Sequence, residues 1–79
     1  MKARVIVTLK ASVLDPQGKA IEGALKGLAI DGVGSVRQGK IFDIELDGDD
    51  QATARRRLSD ACERLLANTI VENYAIEIV

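Results

Sequence analysis

The sequence predicts an α+β fold of element order β-α-β-β-α-β, with two helices on one face of a mostly antiparallel sheet. Three observations carry this reading. Apolar residues alternate with polar ones at both ends of the chain, Val5, Val7 and Leu9 near the start and Tyr74, Ile76 and Ile78 near the finish, which is the period of a half-buried strand. Between them, two stretches repeat their apolar residues at helical spacing. Asp15-Pro16 marks the first strand-to-helix boundary, because a carboxylate caps an unpaired amide and proline has no amide to leave unpaired at the first helical position.

The elements follow in order. Arg4, Thr8 and Lys10 oppose the first apolar row, with Ile6 interrupting that polar face. After the Asp15 cap, Ala20, Ile21, Ala24, Leu25 and Leu28 form one helical stripe, and Glu22 with Lys26 reads as an exposed ion pair. Gly32 ends that region, Val33 to Gln38 reads as a short strand, and Gly39-Lys40 as the turn into Ile41–Leu46. Phe42, Ile44 and Leu46 share a face. Asp47-Gly48-Asp49-Asp50 breaks that strand and sets acidic groups beside the next helix's N-terminus. Leu58, Ala61, Cys62, Leu65 and Leu66 supply the second buried stripe, and Asn68 is the expected left-handed residue at its end. Ala75, Glu77 and Val79 lie opposite the last apolar row. The arrangement is that of ferredoxin-like folds. On the sheet's other face, Arg4 and Lys10 are placed to meet Asp43, Glu45 and Glu77, with Ile6, Ile41 and Val79 between them.

Size and composition narrow the function. Seventy-nine residues make one domain, 1–79, and such a chain hides only about 60 to 65% of its unfolded surface. With one Phe, one Tyr and no Trp, the core rests on aliphatic residues, so self-association is expected, as a dimer or a dimer of dimers. Eleven basic against 12 acidic side chains leave no uniform field to attract nucleic acid or an anionic membrane. The lone Cys62 suits a buried thiol in a reducing compartment. The first apolar stretch is too short for a signal peptide, and no run reaches membrane-spanning length, so a cytoplasmic location is expected.

Catalytic constellations are not evident. Without histidine there is no Ser-His-Asp arrangement and no imidazole metal ligand. Gly32-Val33-Gly34-Ser35 precedes a predicted strand instead of opening a helix onto an anion, so it reads as a turn. Asp47, Asp49 and Asp50 read as a solvated loop and helix cap, and Arg55-Arg56-Arg57 fans around a helix beside Asp60 and Glu63. Gly23 and Gly27 inside the first helix stand either for tolerated weakness or for close approach of a neighbouring helix or subunit.

Three blocks carry a family resemblance. They are Leu9-Lys10 with Val13-Leu14-Asp15-Pro16-Gln17-Gly18 and Ala20-Ile21; Val33 with Val36-Arg37-Gln38-Gly39-Lys40; and Cys62 with Leu65-Leu66-Ala67-Asn68, Glu72 and Tyr74. In order and spacing the chain resembles the PurS family, the small subunit of bacterial and archaeal phosphoribosylformylglycinamidine (FGAM) synthase. Two positions depart from the family pattern. Thr69 stands where proline is usual, so the second helix's stop falls more on Asn68. Ala29-Ile30 stands where many members have Gly-Phe, so Gly32 is expected to take the left-handed role.

The resemblance implies a non-catalytic bridge in a glutamine-dependent, ATP-consuming C-N ligase. A glutaminase subunit (PurQ) frees ammonia, and a synthetase subunit (PurL) uses ATP, with Mg, to activate the amide oxygen of formylglycinamide ribonucleotide. The small subunit dimerises and helps to hold the transfer route together. No catalytic residue, metal or cofactor is expected on this chain itself. Partner contact is assigned to Arg37 and Lys40 near the hairpin, Asp15 and Gln17 at the first helix entrance, and Tyr74. Their structural alternatives are edge-strand solvation for the basic pair, capping for Asp15, surface helix propensity for Gln17 and core packing for Tyr74. The competing functional class is a free-standing ACT-like domain that binds a small effector between subunits.

Overall fold

The alternation of Ala3, Val5 and Val7 puts three small or branched side chains on one face of a strand, and these become the centre of the core. A computed structural model describing Met1–Val79 places them in β1 (Lys2–Leu9), the middle strand of a three-stranded sheet of order β2-β1-β3. The elements that follow are α1 (Pro16–Gly27), β2 (Gly39–Glu45), α2 (Gln51–Ala61) and β3 (Glu72–Ile78). Both outer strands run antiparallel to β1. Val5 lies opposite Phe42 and Ile76, and Arg4 lies opposite Asp43 and Glu77.

This register sorts the two faces as the alternation predicted. Phe42, Ile44, Leu46, Tyr74, Ile76 and Ile78 share the face of Ala3, Val5 and Val7, where Leu58 and Cys62 close over them. The α+β class, the antiparallel pairing and both helices are as expected. Two features of the architecture differ in detail.

Residues 33–38 form no strand, and Gly39-Lys40 lies within β2 instead of turning into it. Two β-branched residues, Val33 and Val36, are too few to define a paired face. The second difference is that α2 alone closes the core, since none of the core residues comes from α1. The predicted α1 stripe exists, but it is open, with Ile21 38% and Leu28 70% exposed. The molecule measures 48 × 25 × 15 Å and has a radius of gyration of 15.9 Å, against about 12 Å for a compact chain of this length.

Helix ends account for the remaining differences. Asp15 caps α1 as predicted, accepting from the Gly18 amide, with Pro16 in the first turn. Its C-terminus is a Schellman turn. The Ile30 amide donates to Leu25 O at 3.1 Å and the Ala29 amide to Lys26 O at 3.0 Å. Ala29 therefore takes the left-handed position at φ 57°, and Gly32, at φ 85°, serves the turn beyond instead of ending the helix. Asp50 caps α2 through the Ala52 amide at 3.1 Å and the Thr53 hydroxyl at 2.6 Å.

At its far end α2 runs into a π-turn, Cys62–Leu66, closed by the Ala67 amide donating to Cys62 O at 3.0 Å. The extra residue in that turn rotates the stripe. Leu65 swings out to 82% exposure while Ala67 is buried in its place. Asn68 is not left-handed. Its side chain accepts from the Ile70 amide at 3.2 Å, and its carbonyl accepts from Val71 and Glu72.

Candidate partner interface

One rim of the sheet, where β1 ends and β2 and β3 begin, gathers most of the residues assigned to partner contact. Antiparallel pairing brings Thr8 beside Gly39 and Leu9 beside Glu72, and α1 starts just beyond. A hollow of about 220 Å³ there is lined by Leu9, Asp15, Gln17, Gln38, Lys40 and Glu72.

Asp15 is the anchor of this rim. It is only 4% exposed. Its Oδ1 accepts from the Gly18 amide at 2.9 Å and its Oδ2 from the Gln38 amide at 2.6 Å. The Gln38 amide first, and the Gly18 amide next, hold its carboxyl below the usual range. Capping is thus one half of its role, and joining α1 to the start of β2 is the other. Gln17, by contrast, is exposed on the first turn of α1.

The basic pair is spread over the same rim. The Arg37 guanidinium donates to the Lys10 carbonyl at 3.0 Å. Lys40 stands opposite Val7, and its Nζ lies 3.7 Å from Glu72 Oε2. Both basic side chains are exposed, so their charges are available to a docking surface at little cost in desolvation.

Tyr74 sits further along β3, half-buried against the core, with its hydroxyl donating to Glu63 Oε1 at 3.3 Å. Burial, and then Glu63, push its ionisation up. It lies beside a second hollow with Lys10, Glu63, Thr69, Glu72 and Asn73. Core packing and rim position are both realised at this residue.

Two further residues, Glu72 and Glu22, shape this region although the sequence marks the first only as part of a family block and the second only as a partner for Lys26. Glu72 lines both hollows and accepts from the Asn68 amide at 2.6 Å while pairing with Lys40. Glu22 does not pair with Lys26. Its Oε2 lies 3.4 Å from Lys19 Nζ, and its Oε1 accepts from the Val36 amide at 2.8 Å. That amide is the main reason its carboxyl is held below the usual range. The helix stripe offers a signal for Glu22, which falls next to Ile21 on the α1 surface. For Glu72 the signal is its place just before the last alternating row.

The far face of the sheet is uncovered. Arg4 Nε donates to Asp43 Oδ1 at 2.8 Å, an ion pair that raises the first ionisation and lowers the second. Lys10 does not join these acids and donates instead to Asn73 Oδ1 at 3.1 Å. A shallow hollow of about 490 Å³ runs along Lys2, Arg4, Asp43, Glu45, Glu77 and Val79. Paired charges and scattered apolar side chains make up this face.

Comparison with known proteins agrees in family and fold. Residues 2–79 match the family model described as PurS, phosphoribosylformylglycinamidine (FGAM) synthase. The chain is 49% identical over 75 residues to the PurS subunit of that synthase from Synechocystis, covering 95% of this chain and 75% of that one. It is 40% identical to the Bacillus subtilis subunit, covering 98% and 90%. Among solved structures it resembles a chain of PurLQS from Thermotoga maritima with a TM-score of 0.90 at 31% identity, covering 99% and 95%. It resembles PurS of Methanocaldococcus jannaschii, a subunit of formylglycinamide ribonucleotide amidotransferase, with a TM-score of 0.88 at 34% identity, covering 96% and 92%.

Proposed function

The chain belongs to the PurS family, and from that premise we propose that it bridges the glutaminase and synthetase subunits of FGAM synthase through the rim formed by Asp15, Gln17, Arg37, Lys40 and Tyr74. The observation that carries the bridging role is the likeness, along nearly the whole chain, to a member of the PurLQS assembly. The family match places the chain in a glutamine-dependent, ATP-consuming ligase of purine biosynthesis as its non-catalytic subunit. PurQ and PurL are its partners, and it associates with further copies of itself.

The rim supports the contact assignment because it combines exposed cations, Arg37 and Lys40, with a backbone fixed by Asp15. A backbone already fixed loses little further entropy on docking, so the ordering cost falls on the exposed Arg37 and Lys40 side chains alone. ATP and Mg²⁺ belong to the synthetase subunit, where the amide oxygen is activated, and the assembly works in the cytoplasm. This chain's share is to keep the source of ammonia and its acceptor in register, so that the nucleophile is not lost to water. The comparisons favour this role over a small-ligand regulatory domain.

The test separates the two nitrogen sources. Added to the matching PurL and PurQ, the chain raises glutamine-dependent product formation strongly and ammonia-driven formation much less. Equal stimulation in both assays transfers its role to direct activation of the synthetase, and no stimulation in either ends the bridging reading.

A further inference from the structure

Tyr74-Ala75-Ile76-Glu77-Ile78-Val79 is a run with one charge, no proline and no glycine, the composition that pairs most readily with extended segments of other chains. It lies on an outer strand of the sheet, where such a run is a hazard unless its edge is occupied. The register shows which backbone groups are at risk. The Lys10 amide donates to Val71 O and the Val79 amide to Lys2 O, both at 2.9 Å. Odd-numbered residues along β3 therefore bond to β1, and Glu72, Tyr74, Ile76 and Ile78 turn their amides and carbonyls away from the sheet.

Two contacts occupy that edge. At its start the Glu72 amide donates to Asn68 O at 2.7 Å, inside the turn that leads into the strand. In its middle the Arg55 guanidinium donates to Ile76 O at 3.2 Å. Arg55 comes from α2, which runs antiparallel to β3, since Arg55 meets Ile76 while Glu63, about two turns further along, meets the Tyr74 hydroxyl. No other side chain hydrogen-bonds to the β3 backbone. An added strand would lie about 4.7–4.9 Å from β3 and would have to bring its own amide to Ile76 O, where the guanidinium already stands. A charged donor is also the stronger of the two partners open to that carbonyl.

We propose that Arg55 is an edge guard: by occupying Ile76 O it bars an extended segment from adding to β3 and keeps Tyr74–Val79 from stacking on the same run in other chains. The guard is a property of this chain alone, so it stands or fails independently of the bridging role.

Thioflavin T fluorescence of the full chain, with residue-resolved amide exchange on whatever assembles, tests it. Arg55→Ala removes the donor and keeps helix propensity. Arg57→Ala removes an equal charge from another side of the same helix, and Arg55→Lys keeps a charged donor. Arg55→Ala should form thioflavin-positive assemblies roughly tenfold faster than the unaltered chain, with the Tyr74, Ile76 and Ile78 amides protected in them. Arg57→Ala and Arg55→Lys should stay near the unaltered rate. A rate for Arg55→Ala no greater than that for Arg57→Ala overturns the guard, and assemblies in which those three amides exchange freely overturn its placement on β3. In the soluble Arg55→Ala protein the Val5 and Val7 amides should remain protected, because the guard is outside the core. Faster exchange there traces the assembly to general unfolding and likewise overturns the guard. Where Arg55→Ala does not fold, Arg55→Met, which keeps a long unbranched stem and loses the donor, is read by the same criteria.

Discussion

Gly18→Ala and Gly23→Ala are the same substitution in one helix, and the structure gives them opposite signs. In an exposed helix interior, replacing glycine with alanine stabilises by about 0.8–1 kcal/mol. Gly23 has no atom within 4 Å of the added carbon, so it should realise most of that gain. At Gly18 the new carbon overlaps the Val36 carbonyl, a backbone atom, and lies 2.7 Å from Asp15 Oδ2. Relieving overpacking costs roughly 1–3 kcal/mol, and moving the 36–38 segment endangers hydrogen bonds contributing about 0.5–1.5 kcal/mol each. The net for Gly18→Ala is a loss of about 1–3 kcal/mol, leaving the variants about 2–4 kcal/mol apart. At roughly 4–8 °C per kcal/mol for a domain this small, the melting temperatures separate by about 8–30 °C. Urea titration followed by far-UV circular dichroism measures the difference. Protomer concentration must be equal, because self-association adds a concentration-dependent contribution. If Gly18→Ala stabilises as much as Gly23→Ala, the packing of Val36 on Gly18 is refuted. If Gly23→Ala instead loses stability together with association, the open face at Gly23 is filled by a neighbouring copy.

Ala29→Gly removes a side chain from a left-handed backbone position and should stabilise by about 1 kcal/mol, read as a higher urea midpoint; an unchanged or lower midpoint contradicts the Schellman turn. Arg37→Ala with Lys40→Ala should leave the midpoint nearly unchanged, since exposed pairs contribute about 0–1 kcal/mol, while calorimetry with PurL and PurQ shows weaker binding. Unaltered binding moves the contact elsewhere. Asp15, Glu22, Asp43 and Asp50 are all held below their usual ionisation by hydrogen bonds. The unfolded chain therefore takes up protons first, and the stability these groups add is complete above the ordinary carboxylate range and lost as pH falls through their folded values. The urea midpoint should be flat from about pH 7 to 5 and fall below that, and a midpoint unchanged down to pH 3 refutes the shared origin.

Period and capping signals were enough to read β1, β3 and the starts of both helices, because each depends on neighbours in sequence. Asp15-Pro16 is the clearest case. What covers an apolar stripe is not encoded in its spacing, so the α1 stripe was legible as a helix face while its exposure was not. A one-residue change of phase is equally invisible to a 3.6-residue period, which is why Leu65 was read as buried and Ala67 was passed over. At the rim, Asp15, Gln17, Lys40 and Arg37 were legible as candidates from their motif. Glu22 was assigned to a local ion pair, because the nearest cation in sequence is always visible and an amide 14 residues away is not. Val33 and Val36 suggested a strand for a similar reason, since nothing local records that carboxylates take the place of a partner strand.

The π-turn at Cys62–Leu66 bears on how this chain tolerates a change of length. It holds one residue more than an α-turn between Cys62 and Ala67, which close an i to i+5 hydrogen bond. Deleting a single residue inside it would leave an ordinary i to i+4 turn, with Ala67 still under the sheet and the pairing of β3 with β1 intact. The same deletion a few residues later, within β3, would slip the register by one. Ala75, Glu77 and Val79 would then be carried to the core side in place of Tyr74, Ile76 and Ile78. The turn is therefore the place where this short chain can lose a residue and keep its fold.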